Sequence, residues 1–394
     1  MISTTRRYFD NAATSFPKPA GVYEAMMRYG TDIGASPARG AYRESIEAGR
    51  LLQQCRQRLN ALINGESPER IVFTLNATDA LNLAIKGIAF DCLRRDEPCH
   101  VIMTWMDHNS VLRPINALGD FGVEQTRIRC DPKTGIVDVD ALRKSIRNDT
   151  RLVAVVHGSN VTGTLQPIDQ IGEICRENNV PMLVDAAQTL GHLPVDVQAM
   201  NIDLLAFPGH KGLLGPLGTG GLYIRTGLEK TIQPLREGGT GTRSERDVQP
   251  ESMPDKYESG SHNAIGIVGL SEAVEWISAR DVEQLWAHER DLITMMLDGM
   301  CDLPGLRLLG PDTVDFRCGV FSIVHESIEP YELANILESQ YNVLSRPGLH
   351  CAPLAHEMMG TRESGGATRL SLGPFTTEQD VLHVTSALAE ICGH

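Results

Sequence analysis

The feature that most constrains the fold is an apolar run, Leu204 to Phe207, which stops at Pro208-Gly209-His210-Lys211. A short apolar run bounded by proline and glycine is typical of a strand buried on both faces, as in a parallel sheet. Lys211 then follows the carboxyl end of that strand, where open α/β sheets bind ligands. We expect the glycines around Lys211 to keep bulky side chains out of the way of a flat ligand.

Lys211 has two interpretations. A crowded lysine that is partly removed from water loses its proton more readily and can form a Schiff base with a carbonyl group. A lone lysine in a loop is more often a solvated surface residue. The choice depends on which other residues the fold brings to the same place.

Short apolar segments alternate with segments of helical spacing over the first two thirds of the chain. Strands are predicted at 70–74, 101–104, 152–157, 181–184, 204–207 and 221–225. Such alternation predicts an α/β fold with a mostly parallel central sheet and helices on both faces. Polar side chains follow successive strands, at His108, Asn160, Asp185, Gln188, His210 and Lys211. Because parallel strands end at one edge of a sheet, we expect these side chains to line one crevice.

A loop region rich in glycine, serine, threonine and charge, 237–263, separates this part from the rest of the chain. Beyond it, helical spacing at 265–278, 281–300, 331–340 and 377–391 and short strands at 320–324, 343–345 and 368–372 predict a smaller α+β domain. We therefore divide the chain into an N-terminal arm, 1–20, that packs with the small domain, a large domain, 21–262, and a small C-terminal domain, 263–394.

Charge and cysteine content exclude several classes of protein. The formal net charge of -14 argues against nucleic acid or an anionic membrane as a main partner. No apolar segment follows Arg6 and Arg7, and no apolar run is long enough to span a membrane, so we expect neither a signal peptide nor a membrane segment. The nine cysteines include no Cys-x-x-Cys pair, which favours a reducing cytoplasm over a disulfide framework and predicts no metal site.

Six short segments stand in a specific order along the chain: Asp10-Asn-Ala-Ala-Thr, Asp107-His-Asn-Ser, Ser159-Asn-Val-Thr-Gly, Val184-Asp-Ala-Ala-Gln, Gly209-His-Lys and Arg346-Pro-Gly-Leu-His-Cys. Together they resemble the cysteine desulfurase family, closest to its sulfur-mobilising and selenocysteine lyase branch. The resemblance implies a fold-type I transferase of the class V aminotransferase fold that depends on pyridoxal 5'-phosphate.

The resemblance also implies roles around the cofactor ring. Lys211 is expected to hold the cofactor as a Schiff base, and Asp185 to pair with the pyridine nitrogen. Gln188 is expected to donate toward the phenolate oxygen, and His108 to stack on the ring and to shuttle protons. Asn160 is expected near both the ring and the substrate carboxylate.

Two further groups of residues are implied to bind anions. The backbone N–H groups of Ala77 and Thr78, at the start of a helix, are expected to bind the phosphate together with the Thr78 hydroxyl and His210. The alternative is that Thr78 only caps the helix and binds no ligand, which is the more common role of a threonine at a helix start. Arg369 and Arg346 are expected to bind the substrate carboxylate, because a guanidinium group holds a carboxylate at two points.

Cys351 is the cysteine that we expect to react. It follows His350 and lies near Arg346, and cationic neighbours favour the thiolate form of a cysteine. The resemblance implies that Cys351 takes the sulfur of L-cysteine as a persulfide, that L-alanine leaves, and that a protein acceptor receives the sulfur. L-selenocysteine is the alternative substrate.

Two positions depart from the family pattern near the expected phosphate site. Pro208 stands where a hydroxyl residue is usual, and Ser261 stands where a threonine is usual, with His262 beside it. The resemblance places the Ser261 loop at the active site of a partner chain, so we expect a homodimer. Ser261, and His262 if it points the same way, would then offset the missing hydroxyl at Pro208.

Two other functions remain open. The same fold supports selenocysteine cleavage, β-elimination, epimerisation and amino transfer, and these reactions do not need the Cys351 thiol. A catalytically silent sulfur-relay or scaffold protein does not need Lys211, Asp185 and His108. The residues present therefore favour a cysteine desulfurase.

Overall fold

The computed structural model describes residues 6–37, 39–241 and 245–393, so the first five residues of the predicted arm lie outside the described residues. The strands are β1 (Arg7–Tyr8), β2 (Ile71–Thr74), β3 (His100–Thr104), β4 (Glu124–Ile128), β5 (Thr150–Val156), β6 (Met182–Asp185), β7 (Leu204–Pro208), β8 (Gly220–Ile224), β9 (Leu306–Leu308), β10 (Val320–His325), β11 (Val343–Leu344), β12 (Arg346–Gly348) and β13 (Ala367–Ser371). The helices are α1 (Ala20–Arg28), α2 (Arg43–Leu62), α3 (Ala77–Arg94), α4 (Asn109–Leu118), α5 (Val139–Ser145), α6 (Ile168–Glu177), α7 (Ala264–Ser278), α8 (Val282–Met300), α9 (Pro330–Tyr341), α10 (Pro353–Met358) and α11 (Glu378–Ile391).

The central sheet has seven strands in the order β2-β8-β7-β6-β5-β3-β4. The pairs β3–β4, β3–β5, β5–β6 and β6–β7 are parallel, whereas β8 runs against both of its neighbours, β7 and β2. The carboxyl ends of β2, β3, β5, β6 and β7 therefore lie along one edge. This topology confirms the predicted mostly parallel sheet and brings the residues that follow those strands side by side.

The apolar run in β7 is buried on both faces of the sheet. Leu204 and Ala206 pack into the core formed with α3 and α4. Leu205 and Phe207 pack into the core on the opposite face, which includes residues of α2 and α7. Because successive side chains of a strand point to opposite faces and both faces are covered, the run has no polar position.

The small domain is built on a four-stranded antiparallel sheet of order β12-β13-β10-β9. Helices α8, α9 and α11 bury apolar side chains against it. The N-terminal arm joins this domain, because β1 pairs in parallel with β11 and Phe9 lies in the same core. The Ala12 N–H also donates to Ser371 Oγ (2.9 Å).

Helix α7 differs from the predicted domain boundary. A boundary at 262/263 assigns α7 to the small domain, but the helix packs against α1 and α2 of the large domain. Its residues Ile267, Leu270 and Ile277 belong to the core under the central sheet. Because α7 is apolar around most of its circumference, it needs cover on several sides, and the large domain provides that cover.

Candidate active site

Lys211 lies at the carboxyl edge of the central sheet, three residues after the end of β7 at Pro208. Desolvation and, to a smaller extent, the positive charge of Arg369 lower the pKa of Lys211 to about 8, while the negative charge of Asp185 opposes them. More of this amine is unprotonated at neutral pH than for a solvated lysine, and the unprotonated amine is the form that attacks a carbonyl group.

The glycines around Lys211 face other parts of the protein and not the space for a ligand. A Cβ atom at Gly209 would lie 2.1 Å from Thr219 Oγ1, and one at Gly212 would lie 2.5 Å from the Leu190 carbonyl oxygen. The prediction that these glycines leave room for a flat ligand is therefore wrong. They are needed because the loop packs closely on its own protein neighbours, and that packing holds Lys211 in place.

The strand ends enclose one pocket next to Lys211. Its walls bring together eight of the residues predicted from the sequence: Ala77, Thr78, His108, Asn160, Asp185, Gln188, His210 and Lys211. Ser110 and Gly158 also line this pocket, although the sequence analysis did not single them out. Arg346, Arg369, Cys351 and Ser261 lie outside the lining of the pocket, and their positions are described below.

The amino-terminal end of α3 lines one part of the pocket. Asn76 precedes the helix, and its Oδ1 accepts the Asp79 N–H (2.9 Å). The N–H groups of Ala77 and Thr78, in the first turn, have no acceptor within the helix. Thr78 Oγ1 lies 2.7 Å from Ser110 Oγ. Free N–H groups and the helix dipole together favour a phosphate or carboxylate at this end.

His108 is held as a neutral imidazole. Its Nδ1 accepts the Ser110 N–H (3.1 Å) and lies 2.9 Å from Ser110 Oγ, which leaves the ring proton on Nε2. Desolvation, with smaller effects of the charges of Lys211 and Arg346, lowers the pKa of His108 to about 4. Ser110 was not predicted as a site residue, although it is the last residue of the Asp107-His-Asn-Ser segment.

Asp185 and Gln188 line the wall formed after β6. Asp185 is 3% exposed, and its Oδ1 accepts the Ala187 N–H (3.0 Å). Burial raises the pKa of this carboxyl group, against the opposing effects of that hydrogen bond and of Lys211. Gln188 Nε2 donates to the Ala12 carbonyl oxygen (3.0 Å), which leaves one amide hydrogen for a ligand.

Several buried polar atoms at this site have no hydrogen-bond partner among the described residues. They include Asn160 Oδ1, His210 Nδ1 and Arg369 Nε. Because leaving such an atom unpaired costs about 1–3 kcal/mol, the arrangement is typical of a site completed by a bound molecule. A nucleophilic lysine, a helix N-terminus and a buried carboxyl group fit a ligand that has an aldehyde, an anionic group and a basic ring nitrogen.

Arg369 and Arg346 lie opposite each other on the paired strands β13 and β12. Arg369 is 1% exposed, and its Nη2 donates to Asp10 Oδ1 (2.9 Å) while its Nη1 donates to the Asn160 carbonyl oxygen (3.2 Å). Cations directly opposite each other in a sheet repel, and the single carboxylate of Asp10 offsets one of them. The pair is therefore suited to bind a second carboxylate.

The Cys351 segment is fixed by its main chain. The His350 carbonyl oxygen accepts a hydrogen bond from Asn160 Nδ2 (2.6 Å), and the Cys351 carbonyl oxygen accepts one from the Asn109 N–H (2.9 Å). His350 and Cys351 have φ angles of 49° and 59°, a conformation that such residues adopt where their surroundings impose it. The Cys351 side chain is exposed, so its thiol is free to meet other molecules.

His350 is not the cationic neighbour that the sequence analysis expected for Cys351. Its Nδ1 lies 3.2 Å from His356 Nε2, and its Nε2 donates to the Arg346 carbonyl oxygen (2.9 Å). Burial, followed by the charge of Arg369, lowers the pKa of His350 to about 2, so the ring is neutral. That expectation is wrong because the buried ring carries no positive charge.

Ser261 and His262 do not join the pocket of their own chain. Ser261 is exposed. His262 Nε2 lies 3.3 Å from Glu258 Oε2, and the ring packs edge-on against Phe73. The buried Glu258 carboxylate of the same chain therefore holds the His262 side chain, and its contribution of charge to the phosphate of a partner chain stays a prediction.

Comparison with known proteins now identifies the family. The class V aminotransferase family matches residues 7–384. The chain belongs to that family. Its relatives include a "probable cysteine desulfurase" of Methanothermobacter thermautotrophicus, 34% identical over 390 residues that cover 98% of this chain and 94% of the relative. They also include the cysteine desulfurase IscS of Methanosarcina thermophila, 34% identical over 99% of this chain and 93% of the relative.

Solved structures of family members have the same fold. The apo structure of a cysteine desulfurase from Thermococcus onnurineus NA1 has a TM-score of 0.89 at 30% identity, over 98% of this chain and 95% of that chain. The cysteine desulfurase CsdA from Escherichia coli has a TM-score of 0.84 at 27% identity, over 97% and 94%. These comparisons confirm the family resemblance and the fold class predicted from the sequence. Members of this family generally depend on pyridoxal phosphate.

The described residues were also compared with what metal binding, membrane insertion and disulfide bonding require. The described residues contain no group of three or more histidine, cysteine, aspartate or glutamate side chains placed to hold a metal ion. None of the described helices combines the length and apolarity needed to cross a membrane. All nine cysteines are free, and six of them are buried.

Proposed function

We propose that the protein is a cysteine desulfurase in which Lys211 holds pyridoxal 5'-phosphate and Cys351 takes the sulfur atom of L-cysteine. The predicted enzyme class is confirmed by the relatives and solved structures named above. The assignment of residues rests on one observation. The pocket of Lys211 and an adjoining cavity that contains Cys351 share Thr78, His108 and Ser110 as a common wall.

The pocket residues suit the cofactor. Lys211 Nζ would bind its aldehyde carbon, the N–H groups of Ala77 and Thr78 its phosphate, and Asp185 its ring nitrogen. When bound, pyridoxal 5'-phosphate supplies an electron sink that stabilises negative charge at the substrate Cα. The buried Asp185 carboxylate favours a protonated ring nitrogen, because a buried charge is stabilised by a partner of opposite charge.

Arg369, Arg346 and Asn160 would bind and orient the substrate carboxylate. Arg369 keeps donors for it, including the unpartnered Nε, although its Nη2 already donates to Asp10. Lys211 is the proposed base that removes the Cα proton at its unprotonated Nζ, which its pKa of about 8 makes accessible near neutral pH.

Cys351 would complete the reaction. Its thiolate attacks the substrate sulfur, an S–S bond forms and the Cβ–S bond breaks, with its electron pair remaining on Cβ. Cβ then takes up a proton, with the neutral His108 as the proposed shuttle, Lys211 returns a proton to Cα, and L-alanine leaves. The persulfide stays on the exposed Cys351 side chain, from which a sulfur acceptor can take it.

We also propose that the protein is located in the cytoplasm, because its cysteines show no spacing typical of a disulfide framework.

Incubation with L-cysteine tests this function. Alanine and sulfide are measured separately, with and without a thiol reductant, and L-selenocysteine is compared in parallel. A desulfurase forms alanine and releases sulfide in equal amounts when the reductant is present. Simple elimination gives sulfide and pyruvate without alanine, and a silent scaffold gives none of these products.

The lowered pKa of Lys211 predicts the pH dependence of cofactor attachment. Cofactor-free protein is mixed with pyridoxal 5'-phosphate over a pH series, and the borohydride-reduced adduct on Lys211 is measured by peptide mapping. Because the unprotonated amine reacts and the pKa is lowered from 10.5 to about 8, the initial rate should reach half its maximum near pH 8. A midpoint near the value of a free lysine would contradict the proposed environment.

We propose in addition a homodimer in which Ser261 donates to the phosphate held by the partner chain. In its own chain Ser261 is exposed and does not line the pocket, where Pro208 offers no hydroxyl. Losing one charge-assisted hydrogen bond costs about 1.5–3 kcal/mol, so Ser261→Ala should weaken cofactor binding by roughly 10- to 100-fold. Equilibrium dialysis measures the affinity and sedimentation measures the oligomeric state.

The matched control for this prediction is Ser252→Ala, at another exposed serine of the same loop region. It should bind the cofactor as tightly as wild type does. A monomer with full cofactor occupancy would rule out the shared site.

A further inference from the structure

A second cavity, of about 420 Å³, lies beside the cofactor pocket and contains Cys351. We call it the Cys351 cavity. One face of α3 and one face of α4 line it at a spacing of four residues: Thr78, Asn82 and Lys86, and Asn109, Arg113 and Ala117. Residues at this spacing share one face of a helix. Its volume falls within the range of pockets that bind small molecules, about 300–1,000 Å³.

The Cys351 cavity is cationic. Lys86 and Arg113 are its charged side chains, and no aspartate or glutamate lines it. Neither of the two forms an ion pair with a described residue, whereas Arg147, elsewhere on the surface, pairs with both Glu124 and Asp149. In a chain of net charge -14, two unpaired cations on one concave surface indicate an anionic ligand.

We propose that the Cys351 cavity binds a small anionic sulfur nucleophile, of which sulfite is the probe, and that this anion takes the sulfur directly from Cys351. The inference rests on the proposed function, because it needs a persulfide on Cys351. The sulfite lone pair attacks the outer sulfur, a new S–S bond forms, and the bond between the two persulfide sulfurs breaks. Cys351 leaves as a thiolate with the electron pair of that bond, and thiosulfate is the product, so no other oxidant or reductant is needed.

Lys86 and Arg113 would reduce the electrostatic repulsion between the two anions that react in this step. A persulfide anion and a sulfite dianion repel each other, and the repulsion grows as the two sulfurs approach. Two cations in the wall offset this repulsion where it is largest, in the transition state. An acceptor that attacks in an uncharged form, such as a tertiary phosphine, gains nothing from them, so the cations make the cavity selective for anions.

The experiment measures sulfur transfer from protein that already carries the persulfide. Enzyme loaded with L-cysteine and freed of small molecules is mixed with sulfite, and thiosulfate is followed over time. Lys86→Gln and Arg113→Gln should each lower the second-order rate constant by about tenfold, and the double variant by about 100-fold, as expected for one and two charge-assisted hydrogen bonds. With tris(3-hydroxypropyl)phosphine, which attacks the outer sulfur in an uncharged form and leaves as the phosphine sulfide, the rates should not change.

A double variant at two exposed lysines outside the cavity, Lys133→Gln with Lys144→Gln, removes the same net charge and should transfer sulfur to sulfite at the wild-type rate. Equal sulfite rates in the two double variants would overturn the inference. So would an equal loss of rate with the uncharged phosphine.

A second way of loading Cys351 distinguishes failure of the proposed function from failure of this inference. If L-cysteine loads no sulfur on the protein, Cys351 is loaded with inorganic polysulfide, with Cys351→Ser protein as the blank. The same comparison of the Lys86 and Arg113 variants with their control then decides the inference by the amount of thiosulfate formed.

Discussion

The Lys211→Ala protein is expected to form no measurable alanine from L-cysteine and to carry no cofactor that borohydride can fix to the chain. The substitution removes both the proposed covalent attachment and the proposed base. Transfer of a proton by a positioned base alone increases a reaction rate by a factor of about 10²–10⁴. Alanine formation and mass spectrometry after borohydride reduction measure the two losses separately.

Lys18 provides the matched control, because desolvation lowers its pKa to about 8 as well. Its Nζ donates to the Ser15 carbonyl oxygen (3.0 Å), to Ser15 Oγ (2.9 Å) and to the His210 carbonyl oxygen (3.2 Å), which uses all three of its protons. Lys18→Gln protein should therefore still carry the fixed cofactor on Lys211. A label on any other lysine of the wild-type protein would refute the assignment.

The Cys351→Ser protein should bind the cofactor and L-cysteine yet release alanine at least about 10³-fold more slowly, the scale on which enzymes lose activity without their nucleophile. A serine hydroxyl cannot form a persulfide. The substitution leaves the main-chain hydrogen bonds of the segment to Asn109 and Asn160 in place, so the loss is chemical rather than structural. Alanine formation and the mass of the isolated protein after one turnover measure it.

Cys301→Ser is the control for Cys351, because Cys301 is another exposed cysteine and follows α8, away from both cavities. It should form alanine and persulfide as wild type does. Undiminished alanine formation by Cys351→Ser protein would contradict the proposed acceptor role of Cys351.

The strands missed from the sequence lie at the edges of their sheets. β4 ends the central sheet and β12 ends the small sheet. β4 has mostly polar residues, and β12 contains Pro347 and Gly348. An edge strand needs neither a doubly buried apolar run nor a full set of backbone donors, so its sequence does not show the pattern of a central strand.

The candidate site was predictable in its location and only partly in its contacts. Residues such as Asp185 and Lys211 could be placed because the first ends a central strand and the second follows one, and parallel strands end at one edge. Asp10 could not be paired with Arg369, because 359 residues separate them and nothing local in either segment indicates the other. The roles assigned to these residues remain predictions for the experiments above.

The sequence by itself determined the fold class, the strand ends that form the pocket and the start of a helix around Ala77 and Thr78. Each depends on patterns within a few residues: side-chain periodicity, turn residues and capping. Only the tertiary structure decided that His350 is neutral, that His262 turns toward Glu258, that α7 packs with the large domain, and that Lys86 and Arg113 face the cavity of Cys351. Burial and charge at a residue depend on segments far away in the chain, and folding alone brings those segments together.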